Sequence, residues 1–431
     1  MELSQILKSA VEKQASDIFI VSGLPLSFKV NHVIEPQSEE KLFPDATEAL
    51  IREIYSLANE RDIDRFLDCG DDDFSFSLPG VSRFRVSTYK QRSSLAAVIR
   101  VVTFDLPDPE KLGLPSVMMD LALRKKGMVL VTGPAGSGKS TSLACMIDRI
   151  NQTRNSHIIT LEDPIEFLHR HKKSIVSQRE IPNDTQSYVT ALRAALRQSP
   201  DVILLGEMRD YETINTALTA AETGHLVFST LHTVGASSTI DRIIDAFPPN
   251  QQAQIRIQLS MVLQAVVSQQ LIPTVNGGVV AAFEIMICNG AIRNLIRESK
   301  THQIDTVIFS SASDGMITMD NSILNLYKQG IISAQDAVLY STNPELMSKK
   351  VRKKNPRQSK SGGDFLFTSN YSYRTPYLVF QLPTISLTVL TVTKALGSFL
   401  RICSINRAYS FFARIVTTSQ RTCLSYPPFA S

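Results

Sequence analysis

Short apolar runs alternate with amphipathic segments through the middle of the chain. Four of these runs, bounded by Gly, Asp or His, predict buried β-strands: GMVLVTG, HIITLED, DVILLGE and HLVFSTL. The segments between them, including YVTALRAALRQ, have the spacing of apolar residues that is typical of helices. Strands and helices that alternate in this order predict a mostly parallel sheet covered by crossover helices.

A different pattern fills residues 1–103 and predicts a separate small α/β domain. An amphipathic helix opens it, and the strand patterns DIFIV, LSFKV, SRFRVSTYKQR and LAAVIRVV surround a second helix at 46–57. The stretch FDLPDPEKLGLP contains three prolines and predicts a linker at 104–115. We therefore expect a second domain at 116–355 that is built on the mostly parallel sheet.

The charge distribution argues against a nucleic-acid partner. The full chain of 431 residues has a formal charge of +4, from 45 basic and 41 acidic residues. Residues 356–431 contribute 8 basic residues and 1 acidic residue, or +7, so residues 1–355 carry 37 basic and 40 acidic residues, or −3. A nucleic-acid-binding protein normally presents a basic surface, which this balance does not supply.

The tail at 356–431 differs in composition from the rest of the chain. No Asp or Glu follows Asp364. Segment 377–400 is apolar, but Pro383, Lys394 and six Ser or Thr residues make it a weak candidate for a membrane span. We expect the tail to be disordered or the product of a shifted reading frame. The N-terminus shows no secretory signal pattern, so we expect a cytoplasmic protein.

The cysteines give no sign of a disulfide framework or of a zinc site. They are scattered, and none stands in a CxxC pair: Cys69, Cys145, Cys288, Cys403 and Cys423. We therefore expect reduced thiols and no bound zinc.

The predicted strand GMVLVTG leads into GPAGSGKS, which satisfies the phosphate-loop pattern G-x-x-x-x-G-K-[ST]. Glycines allow the backbone to wrap closely around a phosphate, so that successive N–H groups and the start of the next helix face the anion. Lys139 can reach the β- and γ-phosphates of ATP, and Ser140 can bind Mg²⁺. The residues expected to bind the nucleotide are Gly133, Pro134, Ala135, Gly136, Ser137, Gly138, Lys139, Ser140 and Thr141.

Carboxylates follow two other predicted strands. Glu207 comes just after the apolar run at 202–205, and Glu162 and Asp163 end the run HIITLED. Parallel strands beside a phosphate loop bring their carboxyl ends to the nucleotide. A carboxylate there can orient or deprotonate an attacking water, so Glu207 is the candidate catalytic base and Glu162 the next candidate. Asp163 is expected beside the nucleotide. The alternative is a solvated carboxylate at the end of a strand.

Two histidines flank the fourth predicted strand in GHLVFSTLHT. His225 and His232 are seven residues apart at opposite ends of it, which is too far for them to share one metal ion. Taken alone, the pattern equally fits two histidines that cap a core strand.

These motifs together resemble the secretion ATPase superfamily, and within it the type IV pilus retraction ATPases. The resemblance covers about residues 1–350 and rests on the phosphate loop, the Asp box TLEDPIEF, the Walker B segment GEMRD and the His box AETGHLVFSTLHT. It implies a PAS-like N-terminal domain followed by a RecA-like P-loop ATPase domain. It also implies that His232 and His225 sense or stabilise the nucleotide.

The resemblance further implies a hexameric motor that uses ATP and Mg²⁺ to drive pilus retraction and twitching motility from the cytoplasmic face of the membrane. The partners it implies are a platform protein of the inner membrane and a paralogous pilus ATPase. The segment AIRNLIRESK at 291–300 resembles a retraction-specific element, with an apolar stripe of Ile292, Leu295 and Ile296. The alternatives are a pilus-assembly or type II secretion ATPase and a weakly hydrolysing nucleotide-binding partner of another pilus motor.

Arginines in the first domain fall where the family supplies cations to the nucleotide. Arg85, Arg92 and Arg100 are the candidates, and a guanidinium in this role changes rates by about 10³–10⁵-fold in other NTPases. One hypothesis is that they act on the ATP of a neighbouring subunit, and the alternative is a solvated face of the strand. The segment HRHKK at 169–173 is expected to be a solvated loop.

Overall fold

Two β-sheets organise the part of the chain that the structure describes. The computed structural model describes residues 2–30, 33–102, 104 and 106–352. The predicted tail at 356–431, with its weak membrane-span candidate, lies outside these residues. Within them, no helix combines the length and the apolar character that are needed to cross a membrane. The domain limits near 103, 115 and 355 stay sequence predictions.

The first sheet has six antiparallel strands. They are β1 (Asp17–Ile20), β2 (Pro25–Val30), β3 (Val33–Lys41), β4 (Asp71–Leu78), β5 (Ser82–Gln91) and β6 (Ser94–Val102). Their order in the sheet is β3-β2-β1-β6-β5-β4. Three helices accompany the sheet: α1 (Leu3–Glu12), α2 (Pro44–Leu57) and α3 (Asp64–Cys69).

Strand β5 shows how the first sheet separates its two faces. Phe84 and Val86 point to the buried face, where they share one apolar cluster with side chains of α1 and α2. Arg83 and Arg85 alternate with them, because successive strand residues face opposite sides of a sheet. Burying a large apolar side chain contributes about 1.5–3 kcal/mol. This burial fixes the orientation of the strand and leaves the two arginines on the opposite face.

The second sheet has seven described strands. They are β7 (Gly127–Thr132), β8 (His157–Glu162), β9 (Ile175–Glu180), β10 (Val202–Leu205), β11 (Leu226–Leu231), β12 (Leu263–Pro273) and β13 (Val279–Ile287). In the order β13-β12-β7-β11-β10-β8-β9, every neighbouring pair is parallel except β12 and β13. The prediction of an α/β fold with a mostly parallel second sheet is confirmed. Strand β9 and the hairpin of β12 and β13 are absent from the sequence prediction.

Helices cover both faces of the second sheet. They are α4 (Ser116–Leu121), α5 (Lys139–Thr153), α6 (Tyr188–Ala195), α7 (Tyr211–Glu222), α8 (Ala236–Asp245), α9 (Pro249–Val262), α10 (Gly290–Arg297), α11 (Ile304–Ser310), α12 (Met319–Lys328), α13 (Ala334–Leu339) and α14 (Pro344–Arg352). Side chains of α6 to α11 share one apolar cluster with the sheet, and those of α4 and α5 share another. The arrangement has three layers, with the sheet in the middle.

The carboxyl ends of the parallel strands meet at one edge of the second sheet. Thr132 at the end of β7 is the register partner of Leu231 at the end of β11. Leu205 at the end of β10 is the partner of Leu161 in β8. The loops that follow these strands therefore emerge side by side, in the place where α/β proteins bind their ligands.

Candidate active site

The residues 133–140 form a tight loop between β7 and α5. Gly133, Gly136 and Gly138 have φ angles of 140°, 74° and 86°, a region that glycine enters at little cost. A Cβ atom at Gly133 would lie 2.1 Å from the backbone oxygen of Gln269 in β12. The loop is therefore packed against β12 at a distance that permits only glycine at 133.

The side chain of Lys139 is buried inside this loop. Its Nζ donates hydrogen bonds to the carbonyl oxygens of Gly133 and Pro134, both at 2.9 Å. Burial lowers the pKa of the ammonium group, and the charges of Glu166 and Glu207 oppose that shift. The loop thus holds its lysine at the position from which a P-loop lysine reaches the phosphate chain.

The hydroxyl groups of the loop have the chemistry to contact a phosphate. Ser137 is buried, and its Oγ has no hydrogen-bond partner among the described residues. A buried hydroxyl without a partner is unfavourable, and a phosphate oxygen would satisfy it. Ser140 is exposed on the first turn of α5, with the half-buried Thr141 beside it. The exposed tip of the loop consists of Pro134, Ala135 and Gly136.

Gln269 holds the start of α5 against β12. Its Oε1 accepts a hydrogen bond from Oγ of Ser142 at 2.8 Å, and both side chains are buried. Its backbone oxygen is the atom that faces Gly133. Sequence reasoning missed Gln269, because 127 residues separate it from Ser142 and no motif marks it.

A cavity of about 320 Å³ opens beside the loop. Gly138 and Thr141 line one side of it, and residues 110–114 of the predicted linker line another. Leu271 and Val280 from the hairpin of β12 and β13 add apolar surface. A cavity of this size, with mixed polar and apolar walls next to a phosphate-binding loop, has room for a nucleoside.

Glu207 lies at the same edge of the sheet, just after β10. Its Oε1 is 2.6 Å from a guanidinium nitrogen of Arg209, and its Oε2 is 3.6 Å from Nε2 of His232. The Glu207 side chain is 13% exposed, whereas that of His232 is 56% exposed. A carboxylate that is shielded from water and approached from two sides is suited to orient a water and accept its proton.

Glu162 and Asp163 join Glu207 at this edge. Oγ1 of Thr160 donates to Oε1 of Glu162 at 2.6 Å, and Nε2 of Gln178 donates to it at 3.3 Å. Loss of hydration nevertheless raises the pKa of the Glu162 carboxyl to about 7. Burial, and after it the negative charge of Glu207, raises the pKa of Asp163. The sequence predicted that these three carboxylates meet, and the structure brings them together.

The raised pKa of Glu162 predicts a pH dependence. If its carboxylate form takes part in turnover, the rate should rise between about pH 6 and 8 with a midpoint near the pKa of about 7.

The free energy of unfolding should change with pH in the opposite direction to the rate. The folded pKa lies above the unfolded value of 4.5, so the stabilising contribution of Glu162 is lost as the pH rises through 7. Comparing wild type with Glu162→Gln in both measurements isolates this residue, and parallel profiles would contradict the assignment.

The structure brings one of the three candidate arginines to the carboxylates. Burial is the main cause that raises the pKa of Asp163, and the positive charge of Arg85 in the same chain opposes part of that rise. Arg100 lies opposite Arg85 on β6, and its Nε donates to Oδ1 of Asp17 at 3.1 Å. Arg92 is exposed in the turn between β5 and β6. Of the three candidates, Arg85 is therefore the one whose charge acts on Asp163 within its own chain.

His225 does not belong to this edge, which corrects its assignment to the nucleotide site of its own chain. It precedes β11, so the six residues of that strand separate it from the loop edge, a distance of roughly 20 Å at about 3.3 Å per residue. Its Nδ1 is 2.9 Å from the carbonyl oxygen of Ala220 at the end of α7. Strand β11 lies between the two histidines of the motif, and only His232 follows the end of the strand that faces the loop.

The segment at 169–173 is only partly the solvated loop that its charges predict. Its last four residues are exposed, but His169 is buried. His169 lines a small cavity together with Ser140 and Glu162, and burial lowers the pKa of its imidazole to about 4. Residues distant in the sequence surround it, so local charge gave no sign of its burial.

The described residues contain no group of three or more His, Cys, Asp or Glu side chains that could hold a metal ion. A P-loop protein needs no such group for Mg²⁺, because a loop hydroxyl and the phosphates of the nucleotide supply ligands. The exposed hydroxyl of Ser140, with the Glu162 carboxylate in the same small cavity, fits that arrangement.

The second sheet is mostly parallel, and a glycine-rich loop that carries a lysine follows one of its central strands. These two features define a P-loop nucleotide-binding protein of the RecA-like class. The chain belongs to the type II/IV secretion system protein family, which its residues 1–336 match. It is 46% identical over 345 residues to the type IV pilus retraction ATPase PilT of Pseudomonas aeruginosa, an alignment that covers 80% of this chain and 99% of that protein.

Two further comparisons agree with this family. The chain is 53% identical over 277 residues to a twitching motility protein of Neisseria gonorrhoeae, which covers 64% of this chain and 74% of that protein. A solved structure of the pilus retraction motor PilT with bound ADP matches it with a TM-score of 0.74 and 48% identity, covering 81% of this chain and 99% of that one. The family predicted from the motifs is confirmed.

Proposed function

We propose that this chain hydrolyses ATP as a motor that drives type IV pilus retraction. The observation that carries the proposal is the position of Lys139, Glu207 and Glu162 at the carboxyl ends of parallel strands that share one sheet edge. The chain that contains them is 46% identical to a pilus retraction ATPase over 99% of that protein's length. The nucleotide cavity beside the loop supports the same assignment.

Each residue at the edge has its own task in ATP hydrolysis. Lys139 leaves the loop carbonyls and binds the β- and γ-phosphates. Glu207 orients the attacking water and takes its proton. Arg85 adds positive charge where negative charge accumulates on the transferred phosphoryl group. His232, 3.6 Å from Glu207, links the carboxylate to the presence of the γ-phosphate.

Mg²⁺ bound by Ser140 and the phosphates would neutralise the charge that develops on the leaving group. Glu162 lines the same small cavity as Ser140, so its carboxylate would add negative charge near a bound ion. The raised pKa of Glu162, about 7, keeps this residue able to exchange a proton near neutral pH.

The motor acts as a homo-hexamer at the cytoplasmic face of the inner membrane, where it engages a pilus platform protein. The sequence identity of this chain to relatives that are named for pilus retraction and twitching motility supports this proposal. A paralogous pilus ATPase is a further partner of the same assembly.

Helix α10 contains most of the segment at 291–300 that resembles a retraction-specific element, and its exposed face is the part available to transmit motion. Ile292 and Ile296 are fully buried in the core of the chain, and Leu295 packs against the same cluster. Arg293 donates to the carbonyl oxygen of Met261 at 2.8 Å and so closes the end of α9. Arg297, one turn further along the helix, is exposed.

The test combines an ATPase assay on the purified chain with pilus retraction in a Pseudomonas aeruginosa strain that lacks its retraction ATPase. We expect turnover and restored retraction with the wild-type chain. Arg297→Glu should keep turnover and melting temperature but reduce retraction. Turnover without retraction by the wild-type chain would favour an assembly or secretion ATPase, and nucleotide binding without turnover would favour a partner subunit.

His232 predicts a further result that separates nucleotide chemistry from metal binding. His232→Ala should lower ATP turnover by about tenfold or more, because one polar contact near the reacting groups is lost. His225→Ala is the matched control at the other end of the same strand and should keep most of the turnover. Elemental analysis should find no stoichiometric zinc in either variant or in wild type. One zinc per chain that disappears in His232→Ala would contradict this assignment.

A further inference from the structure

An ion pair joins the first sheet to the last parallel strand of the second sheet. A guanidinium nitrogen of Arg83 in β5 lies 3.2 Å from Oε2 of Glu180 in β9, and the two side chains are only 15% and 3% exposed. Arg83 also donates to Oγ of Ser77 at 3.3 Å, which fixes its place on the sheet. Ion pairs this well shielded from water are much less screened than exposed ones.

Glu180 also holds the loop that carries the candidate carboxylates. Its Oε2 accepts the backbone N–H of Ile165 at 3.1 Å, and its Oε1 accepts Nδ2 of Asn183 at 2.5 Å. Glu180 is the register partner of Glu162 across β8 and β9. Ile165 closes the turn that begins at Glu162, so one carboxylate binds both the first sheet and this turn.

The same strand delivers Arg85 to the site. Arg83 and Arg85 are two residues apart and face the same side of β5. The charge of Arg85 acts on Asp163, which lies within the turn that Glu180 holds. Fixing Arg83 on Glu180 therefore sets the position of Arg85 relative to Asp163.

We propose that Arg83 is a positioning residue and that its ion pair with Glu180 is a latch between the first sheet and the catalytic turn 162–165. Neither side chain is assigned a contact with the nucleotide. The latch sets the geometry in which Arg85, Asp163 and Glu162 act. This inference rests on the proposed ATPase function.

The guanidinium of Arg83 is not fully hydrogen-bonded in this pair. Nε of Arg83 is buried without a hydrogen-bond partner among the described residues, so the pair leaves one donor unsatisfied.

Steady-state kinetics of Arg83→Gln, Glu180→Gln and the double variant test the latch. Arg83→Gln should lower kcat about tenfold or more while the KM for ATP and the Kd for a non-hydrolysable analogue stay within about threefold, because it disturbs positioning and not binding. The double variant should regain part of the loss, since neither single charge is left unpaired. Arg52→Gln, which breaks the exposed pair with Glu48, is the matched control and should behave as wild type.

Two outcomes overturn the latch. One is an unchanged kcat in folded Arg83→Gln, and the other is a loss in the double variant equal to the product of the single losses. If Arg83→Gln melts below the assay temperature, Arg83→Lys replaces it, since it keeps the charge but not the planar fork. A wild-type chain without ATPase activity would instead refute the proposed function, so the two failures are distinguishable.

Discussion

Glu207→Gln should bind ATP nearly as well as wild type but turn it over at least about 10²-fold more slowly. The amide keeps the shape of the side chain and removes its basicity. Glu207 is only 13% exposed, and Arg209 and His232 lie against it. A glutamine at this position should therefore occupy the same place. A loss confined to kcat therefore reports the missing base and not a rearranged site.

Steady-state turnover and equilibrium binding of a fluorescent ATP analogue measure this effect. Glu212→Gln is the matched control, because Glu212 is a largely exposed carboxylate on α7 whose nearest cation, Arg193, is 3.9 Å away. Near-normal turnover in Glu207→Gln would mean that Glu207 is not the catalytic base, and Glu162 would then be the candidate. The same substitution at Glu162 would then have to abolish turnover.

Lys139→Ala should instead weaken nucleotide binding itself, by about 10²-fold or more. The ammonium group is the buried cation of the loop, and each hydrogen bond from a charged group contributes about 1.5–3 kcal/mol. Two such bonds now go to Gly133 and Pro134, and the phosphates would receive them when ATP binds.

Calorimetric titration with ATP measures the loss, and thermal melting without nucleotide shows that the variant is folded. Lys172→Ala is the matched control, since Lys172 pairs with Asp148 on the far part of α5 and is 42% exposed. An unchanged Kd in Lys139→Ala would mean that the loop does not bind the phosphates. The two substitutions therefore separate catalysis from binding.

The sequence could predict those parts of the site that consist of a continuous motif or that directly follow a strand. The loop at 133–140 follows its strand directly, and the strand order places Glu162 and Glu207 at the same edge. The family match over residues 1–336 confirms the family predicted from these motifs. Such patterns are readable because spacing along one strand or loop determines where a residue emerges.

Contacts between distant segments could not be predicted in this way. Gln269 and Ser142 are 127 residues apart, and the pair of Arg83 and Glu180 joins two different sheets. The burial of His169 likewise depends on neighbours from other strands. A single sequence records which residues are charged or apolar but not which of them meet.

The histidine motif shows the opposite case, in which the motif implies a role at the nucleotide for more residues than the structure places there. His225 and His232 are equivalent in the sequence motif, yet a parallel strand has two different ends. Only His232 reaches the carboxyl end, where the loop lies, and His225 bonds to α7 instead. Deciding between them requires the strand direction and not only the motif.

The packing of β12 against the loop also governs which inherited changes this protein can tolerate. At Gly133 any side chain meets a backbone oxygen, which cannot move aside, so every missense change there should be a null allele. At Gly138 the nearest atom is Nε2 of the Gln269 side chain at 2.9 Å, which can shift, while a Cβ at Gly136 would meet nothing within 4 Å. Asn or Asp should therefore survive a saturation library at 136, because both residues tolerate a positive φ angle.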